Sequence, residues 1–145
     1  MARDGLLQAL QALPPGWHGH YFDVVDSTQD QARAAARLGA PNRSIFVADY
    51  QRAGRGRQGR TWLAGPGDAL LLSIVFRERA APPMPWRWTS LASVALAESI
   101  QELLPALNPA IKWPNDVLLT TAKPPASWPK PVRTGNSSWR SSAWA

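Results

Sequence analysis

The sequence contains no cysteine among its 145 residues. This absence excludes a disulfide-stabilised scaffold and any metal site built on thiolates. The sequence also lacks an apolar stretch that approaches the roughly 20 residues needed to cross a bilayer. The N-terminus has an early acid, Asp4, and no long apolar core, which argues against a signal peptide. We therefore predict a soluble, cytoplasmic protein with no membrane partner.

Acidic residues are absent from the last 26 positions, Thr120 to Ala145. Four basic residues in this tail supply +4 of the net charge of +6, so the rest of the chain is only mildly basic. The high isoelectric point is therefore a poor indicator of nucleic-acid binding. The helix predicted at 3–13 is too short to form a helix-turn-helix domain. We therefore expect no DNA binding.

The length suits one domain of ordinary size. Helical spacing and stop signals predict helices at 3–13, 26–38 and 89–104, with Asp26 or Ser27 as the N-cap of the second. Strands are predicted at 20–25, 44–50 and 69–76, the last as a central strand buried on both faces. Residues 110–113 and 117–119 predict a hairpin around a turn at 114–116. The fold class is therefore α+β, a mixed β-sheet flanked by helices.

The segment 54–60 (GRGRQGR) alternates glycine with arginine. Glycines let backbone N–H groups approach a ligand closely, and arginines supply permanently charged planar donors. The pattern indicates an anion-binding loop between two strands. It lacks the Gly-Lys-Ser/Thr ending of a Walker A loop. On spacing alone, a basic loop that contacts nucleic acid or a solvated surface loop is equally compatible.

Three ordered motifs resemble those of the biotin protein ligases: DSTQ at 26–29, QRAGRGRQGRTW at 51–62, and KWPND at 112–116. The resemblance covers about 26–119, with Gln29 where many members have asparagine. It implies the biotin/lipoate ligase type of catalytic domain. It also implies that biotin and ATP form biotinyl-5′-adenylate, with Mg²⁺, and that biotin then passes to a lysine of the biotin carboxyl carrier protein of acetyl-CoA carboxylase.

The same resemblance assigns roles to residues. Arg55 and Lys123 are the implied catalytic residues, and Arg55 restrains the mixed anhydride. The implied biotin site comprises Ser27, Thr28, Gln29, Gln51, Arg55, Gly56 and Arg57. The implied ATP site comprises Arg57, Arg60, Trp62, Lys112 and Asn115, with Asn115 and Asp116 as metal ligands.

Each assignment has a purely structural alternative. The 26–29 motif could be a helix N-cap without a ligand, and Trp62 could be a core tryptophan. Asn115 and Asp116 could be ordinary turn residues after Pro114. At the level of the whole chain, the alternatives are an inactive fragment, a basic nucleic-acid-binding module, and a related lipoate or octanoyl transferase.

The tail from Thr120 does not follow the family pattern, which continues with a strand bearing a catalytic lysine. With synonymous codons chosen freely, 120–145 can be encoded so that one added G after Leu119 yields DDRKTAGILAEARTDGQQQLAVVGVG. Lys123 is lysine in both frames. We therefore expect residues 1–119 to be the N-terminal part of the catalytic domain. Residues 120–145 would be a non-family tail, disordered or frameshifted, which leaves the domain truncated.

Overall fold

The computed structural model describes residues 3–56, 59–77, 84–113, 116–120, 132–134 and 138–140. The chain divides into two compact units, Met1–Ala81 and Pro82–Ala145, and each is described by itself. The order of elements in the first unit is helix α1, strand β1, helix α2, strand β2 and strand β3. Their bounds are Arg3–Gln11, His18–Val25, Thr28–Arg37, Ser44–Gln51 and Leu71–Val75.

The sheet of the first unit is mixed, as the sequence predicts. Strand β2 lies between β1 and β3, parallel to β1 and antiparallel to β3. The parallel pair aligns His18 with Ser44 and Val25 with Gln51. Two parallel neighbours need a crossover connection, and α2 provides it. Both strands therefore end at the same edge of the sheet.

The core of this unit lies between α2 and the sheet. Ala32 of α2 packs with Phe46 of β2 and Val75 of β3, and Phe22, Ala35 and Ala36 pack around them. The alanine-rich helix brings its backbone close to the sheet because its side chains are small. This arrangement fixes the first turn of α2 at the end of β1.

Helix α2 ends at Arg37, one residue before the predicted end, and Gly39 follows the C-cap residue Leu38. Gly39 has φ of +89°, a conformation that glycine adopts without steric cost. Its N–H donates to the carbonyl of Ala36, and the N–H of Ala40 donates to the carbonyl of Ala35. These two bonds form a Schellman motif, which satisfies carbonyls that the helix end leaves without partners.

The position of β3 corrects the sequence analysis. The apolar run at 69–76 predicted a central strand buried on both faces, but in the described sheet β2 is central and β3 is an outer strand. Leu71 and Val75 are buried, whereas Leu72 is 39% exposed. An apolar run indicates that a strand can be buried, but it does not specify the position of that strand in the sheet.

The second unit contains helix α3, Pro85–Leu103, and strands β4 to β7. The strand bounds are Asn108–Lys112, Asp116–Thr120, Val132–Thr134 and Ser138–Arg140. Helix α3 begins four residues before the predicted start, since proline is well tolerated in the first turn. The predicted hairpin is confirmed as the antiparallel pair β4–β5. Strands β6 and β7 form a second antiparallel pair within the tail.

No helix in the described part of the chain is long and apolar enough to cross a membrane.

Candidate functional site

The ends of β1 and β2 bring two of the predicted motifs together. Because the strands are parallel and in register, the residues after Val25 lie beside Gln51 and the residues that follow it. The N–H of Arg52 donates to the carbonyl of Val25, and the N–H of Ala53 donates to that of Asp26, both at 2.9 Å. The base of the glycine/arginine loop is thereby attached to the start of the 26–29 motif.

Thr28 is the centre of a hydrogen-bond network. Its N–H and its hydroxyl both donate to Oε1 of Gln51, at 2.7 and 3.0 Å. The Thr28 hydroxyl also lies 3.0 Å from the hydroxyl of Ser73 on β3. Since the single Thr28 proton is directed to Gln51, Ser73 is the donor in the second bond. Three separate elements are thus joined through one side chain that is 4% exposed.

Ser27 occupies the N-cap position of α2, as predicted, in an extended conformation. Its side chain makes no capping hydrogen bond, although the residue is 2% exposed. The carbonyl of Ser27 accepts the first helical bonds from Asp30 and Gln31. Ser27 therefore holds the predicted N-cap position through its backbone, and its buried hydroxyl makes no capping bond.

A cavity of about 280 Å³ opens between these elements. Six predicted site residues line it: Ser27, Thr28, Gln29, Gln51, Arg55 and Trp62. The remaining wall is formed by β3 and the residue before it, Leu70, Leu71, Leu72 and Ser73. Sequence reasoning missed this wall. The one signal for it was a serine within an otherwise apolar run.

The described residues of the glycine/arginine loop form a narrow, hairpin-like turn. The N–H of Trp62 donates to the carbonyl of Gly54 at 2.8 Å, and the N–H of Gly56 donates to that of Arg60 at 2.7 Å. Arg55 and Thr61 form a β-bridge between these two bonds. A Cβ at Gly54 would lie 2.8 Å from the Trp62 carbonyl oxygen, so only glycine allows this approach.

Carboxylates pair with two arginines of this region. The Arg55 guanidinium donates through Nη2 to Oδ1 of Asp30, in the first turn of α2. Arg52 Nη1 lies 3.6 Å from Oδ1 of Asp26. Arg60 is exposed. Arg55 therefore lies at the cavity wall with its charge partly balanced, and the region is less cationic than its sequence suggests.

Trp62 is 54% exposed, so the alternative of a core tryptophan is wrong. It lines the 280 Å³ cavity and also a second, more open cavity of about 790 Å³. The second cavity is further lined by Tyr50, Gln51, Asp68 and residues 63–66 and 69. A half-exposed indole between two cavities presents a flat surface on which a planar group can stack.

Other predicted residues lie in the second unit or outside the described residues. Lys112 and Asp116 are register partners at the end of the β4–β5 hairpin, and both are exposed. Arg57, Asn115 and Lys123 lie outside the described residues. Within the described ranges, no group of three or more His, Asp or Glu side chains could hold a metal ion.

The sequence profile of the Biotin/lipoate A/B protein ligase family matches residues 21–124. The bifunctional ligase/repressor BirA of Bacillus subtilis is 38% identical over 108 residues, which are 74% of this chain and 33% of that protein. The biotin–[acetyl-CoA-carboxylase] ligase of Mycobacterium tuberculosis is 37% identical over 115 residues, 74% of this chain and 42% of that protein.

Solved structures of biotin protein ligases share the fold. The enzyme from Leishmania major in complex with biotin matches with a TM-score of 0.58 and 28% identity, over 74% of this chain and 48% of that one. The enzyme from Aquifex aeolicus in complex with biotin and ATP matches with a TM-score of 0.55 and 27% identity, over 69% and 40%.

These matches confirm the predicted fold class, a mixed sheet with helices. The chain spans between a third and a half of the length of the relatives described above. The family profile covers 104 of the 145 residues, counted from 21 to 124, and includes all three motifs found in the sequence. The chain therefore belongs to the biotin/lipoate A/B protein ligase family.

Proposed function

We propose that this chain carries the biotin-binding part of an ATP-dependent biotin protein ligase. The observation that carries the proposal is the 280 Å³ cavity, which unites the 26–29 motif, Gln51 and the glycine/arginine loop. Residues far apart in the sequence converge there, and six of them belong to motifs that resemble those of the ligases. A generic anion-binding loop would not need the buried polar floor at Ser27 and Thr28.

The chemistry of the cavity suits biotin. Biotin has a polar ureido ring, an apolar bicycle and tail, and a terminal carboxylate. Ser27, Thr28, Gln29 and Gln51 offer uncharged donors and acceptors for the ureido group, and Leu70 to Leu72 offer an apolar wall. Arg55, with Gly56 and Arg57 in the same loop, would then receive the carboxylate.

The nucleotide is proposed to bind in the 790 Å³ cavity, which Trp62 shares with the 280 Å³ cavity. The exposed Trp62 indole would stack on adenine, with the 790 Å³ cavity beside it. Arg57 and Arg60 would contribute charge or hydrogen bonds to the phosphates. The resemblance to the ligases is the sole basis for proposing Lys112 and Asn115 as further ATP-binding residues. Mg²⁺ would enter as part of the Mg-ATP substrate, with its ligands drawn mainly from the phosphates.

The proposed reaction has two steps. An oxygen of the biotin carboxylate attacks the α-phosphorus of ATP, and the bond from that phosphorus to the bridging oxygen breaks, so that pyrophosphate leaves. The lysine amine of a carrier protein then attacks the biotinyl carbonyl, loses a proton, and displaces AMP. Two anions meet in the first step, so charge neutralisation by Arg55 and positioning account for most of the catalysis.

Lys123 is proposed as the second catalytic residue because lysine stands at 123 in this chain and also in the alternative frame written above with freely chosen codons. The carrier is proposed to be the biotin carboxyl carrier protein of acetyl-CoA carboxylase, since the Mycobacterium relative is named for that substrate. Residues 1–119 would then be the family domain and 120–145 a tail read out of frame. The family profile ends at 124, close to that boundary.

A lipoate or octanoyl transferase is the second candidate, because the family includes such enzymes. The complete glycine/arginine loop and the polar floor of the cavity favour biotin. A nucleic-acid-binding role is less compatible with the ion pairs of Arg55 and Arg52, which lower the positive charge available to a phosphate backbone. An inactive fragment would retain the cavity without completing the reaction.

The proposal is tested by thermal unfolding of the chain with biotin plus Mg-ATP, lipoate plus Mg-ATP, or an oligonucleotide. Biotin plus Mg-ATP should raise the unfolding midpoint the most. Pyrophosphate release, measured in the same samples, separates a working ligase from a chain that only binds. A folded sample that responds to lipoate or oligonucleotide, and not to biotin, would overturn the proposal.

A further inference from the structure

Asp30 is the acidic partner of the loop and lies outside the chemistry proposed above. It is the third residue of α2, in the same turn as Thr28 and Gln29. Its Oδ1 accepts a hydrogen bond from Arg55 Nη2 and lies 3.7 Å from Nη1 of Arg33. Asp30 does not line the 280 Å³ cavity, whereas Arg55 does. The Asp30 side chain therefore contacts the lining of the cavity through Arg55.

Because of the position of Arg55 in the loop, its contact with Asp30 connects the closed loop to α2. Arg55 lies between the two backbone hydrogen bonds that close the loop, Trp62 to Gly54 and Gly56 to Arg60. Fixing its side chain to α2 ties the closed turn to the helix that carries the floor of the cavity. The carboxylate of Asp30 is well placed for this role because a helix N-terminus favours negative charge.

The guanidinium group can serve two partners at once. Arginine carries five N–H donors in a planar fork, and Asp30 receives its bond from one terminal nitrogen. The other nitrogens still offer donors to a carboxylate or phosphate in the cavity. A side chain that is already held loses less conformational freedom when the ligand arrives.

We propose that Asp30 is a positioning residue that holds the Arg55 guanidinium at the cavity wall before an anionic ligand binds. The inference rests on the proposed function, since it assumes that the ligand presents a carboxylate to Arg55. A competing role for Asp30 would give the opposite change in ligand affinity. If Asp30 mainly competed with the ligand for Arg55, removing its charge would strengthen binding.

The test uses the full chain and three variants. Asp30→Asn removes the charge, and Asp30→Glu restores it on a longer side chain. Asp23→Asn is the matched control, because Asp23 is also an exposed acid that pairs with an arginine, Arg3 at 3.3 Å, and it lines neither cavity. Circular dichroism establishes that each variant folds.

The first measurement is the rate at which trypsin cleaves after the arginines of 52–60, without ligand. We expect Asp30→Asn to be cleaved roughly three to ten times faster than the parent chain, with Asp30→Glu in between and Asp23→Asn unchanged. This measurement reports whether Asp30 orders the loop, and it is independent of biotin. Equal cleavage rates in the parent chain and Asp30→Asn would overturn the proposal.

The second measurement is calorimetric titration with biotin and with its uncharged amide. Asp30→Asn should weaken biotin binding roughly three- to tenfold and leave binding of the amide unchanged, with rescue by Asp30→Glu. Tighter biotin binding, or equal losses for biotin and the amide, would contradict a positioning role. A parent chain that binds no biotin would refute the proposed function, and the cleavage rates would then decide the role of Asp30.

Discussion

Thr28 and Gln51 are 23 positions apart, yet Oε1 of Gln51 accepts hydrogen bonds from both the N–H and the hydroxyl of Thr28. The contact exists because β1 and β2 are parallel and end in register. It joins the start of α2, where the 26–29 motif lies, to the end of β2, where the 51–62 motif begins. The polar floor of the cavity is therefore a product of strand order as well as of sequence.

Replacing Gln51 by leucine removes the acceptor for both Thr28 donors. Leaving part-buried donors without a partner costs about 1–3 kcal/mol, so we expect Gln51→Leu to lower the free energy of unfolding by that amount. Urea unfolding followed by circular dichroism measures it. Gln51→Glu, which keeps an acceptor oxygen, should lose less. Equal stability of the leucine variant and the parent would show that the network does not stabilise the unit.

A side chain at Gly54 should open the loop. The Cβ of Gly54→Ala would meet the Trp62 carbonyl oxygen at 2.8 Å, whereas that of Gly56→Ala would meet its nearest atom at an ordinary 3.4 Å. Such crowding costs about 1–3 kcal/mol, so Gly54→Ala should be the less stable variant and should bind biotin more weakly. Thermal unfolding and calorimetric titration compare the two. The account of loop closure is wrong if Gly56→Ala is the more damaging change.

Trp62→Ala tests nucleotide binding. Because nearly half of the Trp62 surface is buried, its removal should also lower the free energy of unfolding by about 1–3 kcal/mol, so binding is measured on folded protein. The proposed stacking on adenine should make Mg-ATP binding weaker by roughly tenfold or more, since base–aromatic stacking contributes about 1–3 kcal/mol. Calorimetric titration with Mg-ATP measures this loss, and Trp62→Phe should keep part of the affinity. Unchanged nucleotide binding in Trp62→Ala would remove Trp62 from the ATP site.

Much of the fold could be predicted from local signals. The spacing of leucines located α1, Gly39 marked the end of α2, and Pro114 with its neighbours marked the hairpin turn. These features depend on residues close together in the sequence, and the bounds of α1 and α2 and the pairing of β4 with β5 agree with them. The start of α3 was placed too late because Pro85 was not taken as a first-turn proline.

The site was predicted less completely, because its walls depend on tertiary contacts. Two of the three motifs, at 26–29 and 51–62, identified six residues of the cavity, but Ser73 and the adjacent leucines were missed. Their role follows from the antiparallel pairing of β3 with β2, which no local pattern specifies. The Asp30–Arg55 pair depends in the same way on how α2 meets the loop.

The nucleotide sequence around codon 120 tests the interpretation of the tail. We expect that one added base restores a frame encoding Lys-Thr-Ala-Gly-Ile-Leu shortly after Leu119. A chain expressed in that frame should release pyrophosphate from ATP in the presence of biotin faster than the present chain. If neither alternative frame encodes such a segment, the frameshift hypothesis fails and 120–145 is a genuine part of the protein.

The central claim is that the cavity beneath the glycine/arginine loop is a biotin site. Calorimetric titration of the folded chain with biotin, and separately with lipoate, tests it most directly. The account predicts saturable binding of biotin with an affinity at least about tenfold above that for lipoate, a difference of about 1.4 kcal/mol. A folded chain that binds lipoate more tightly, or that binds neither molecule, would contradict it.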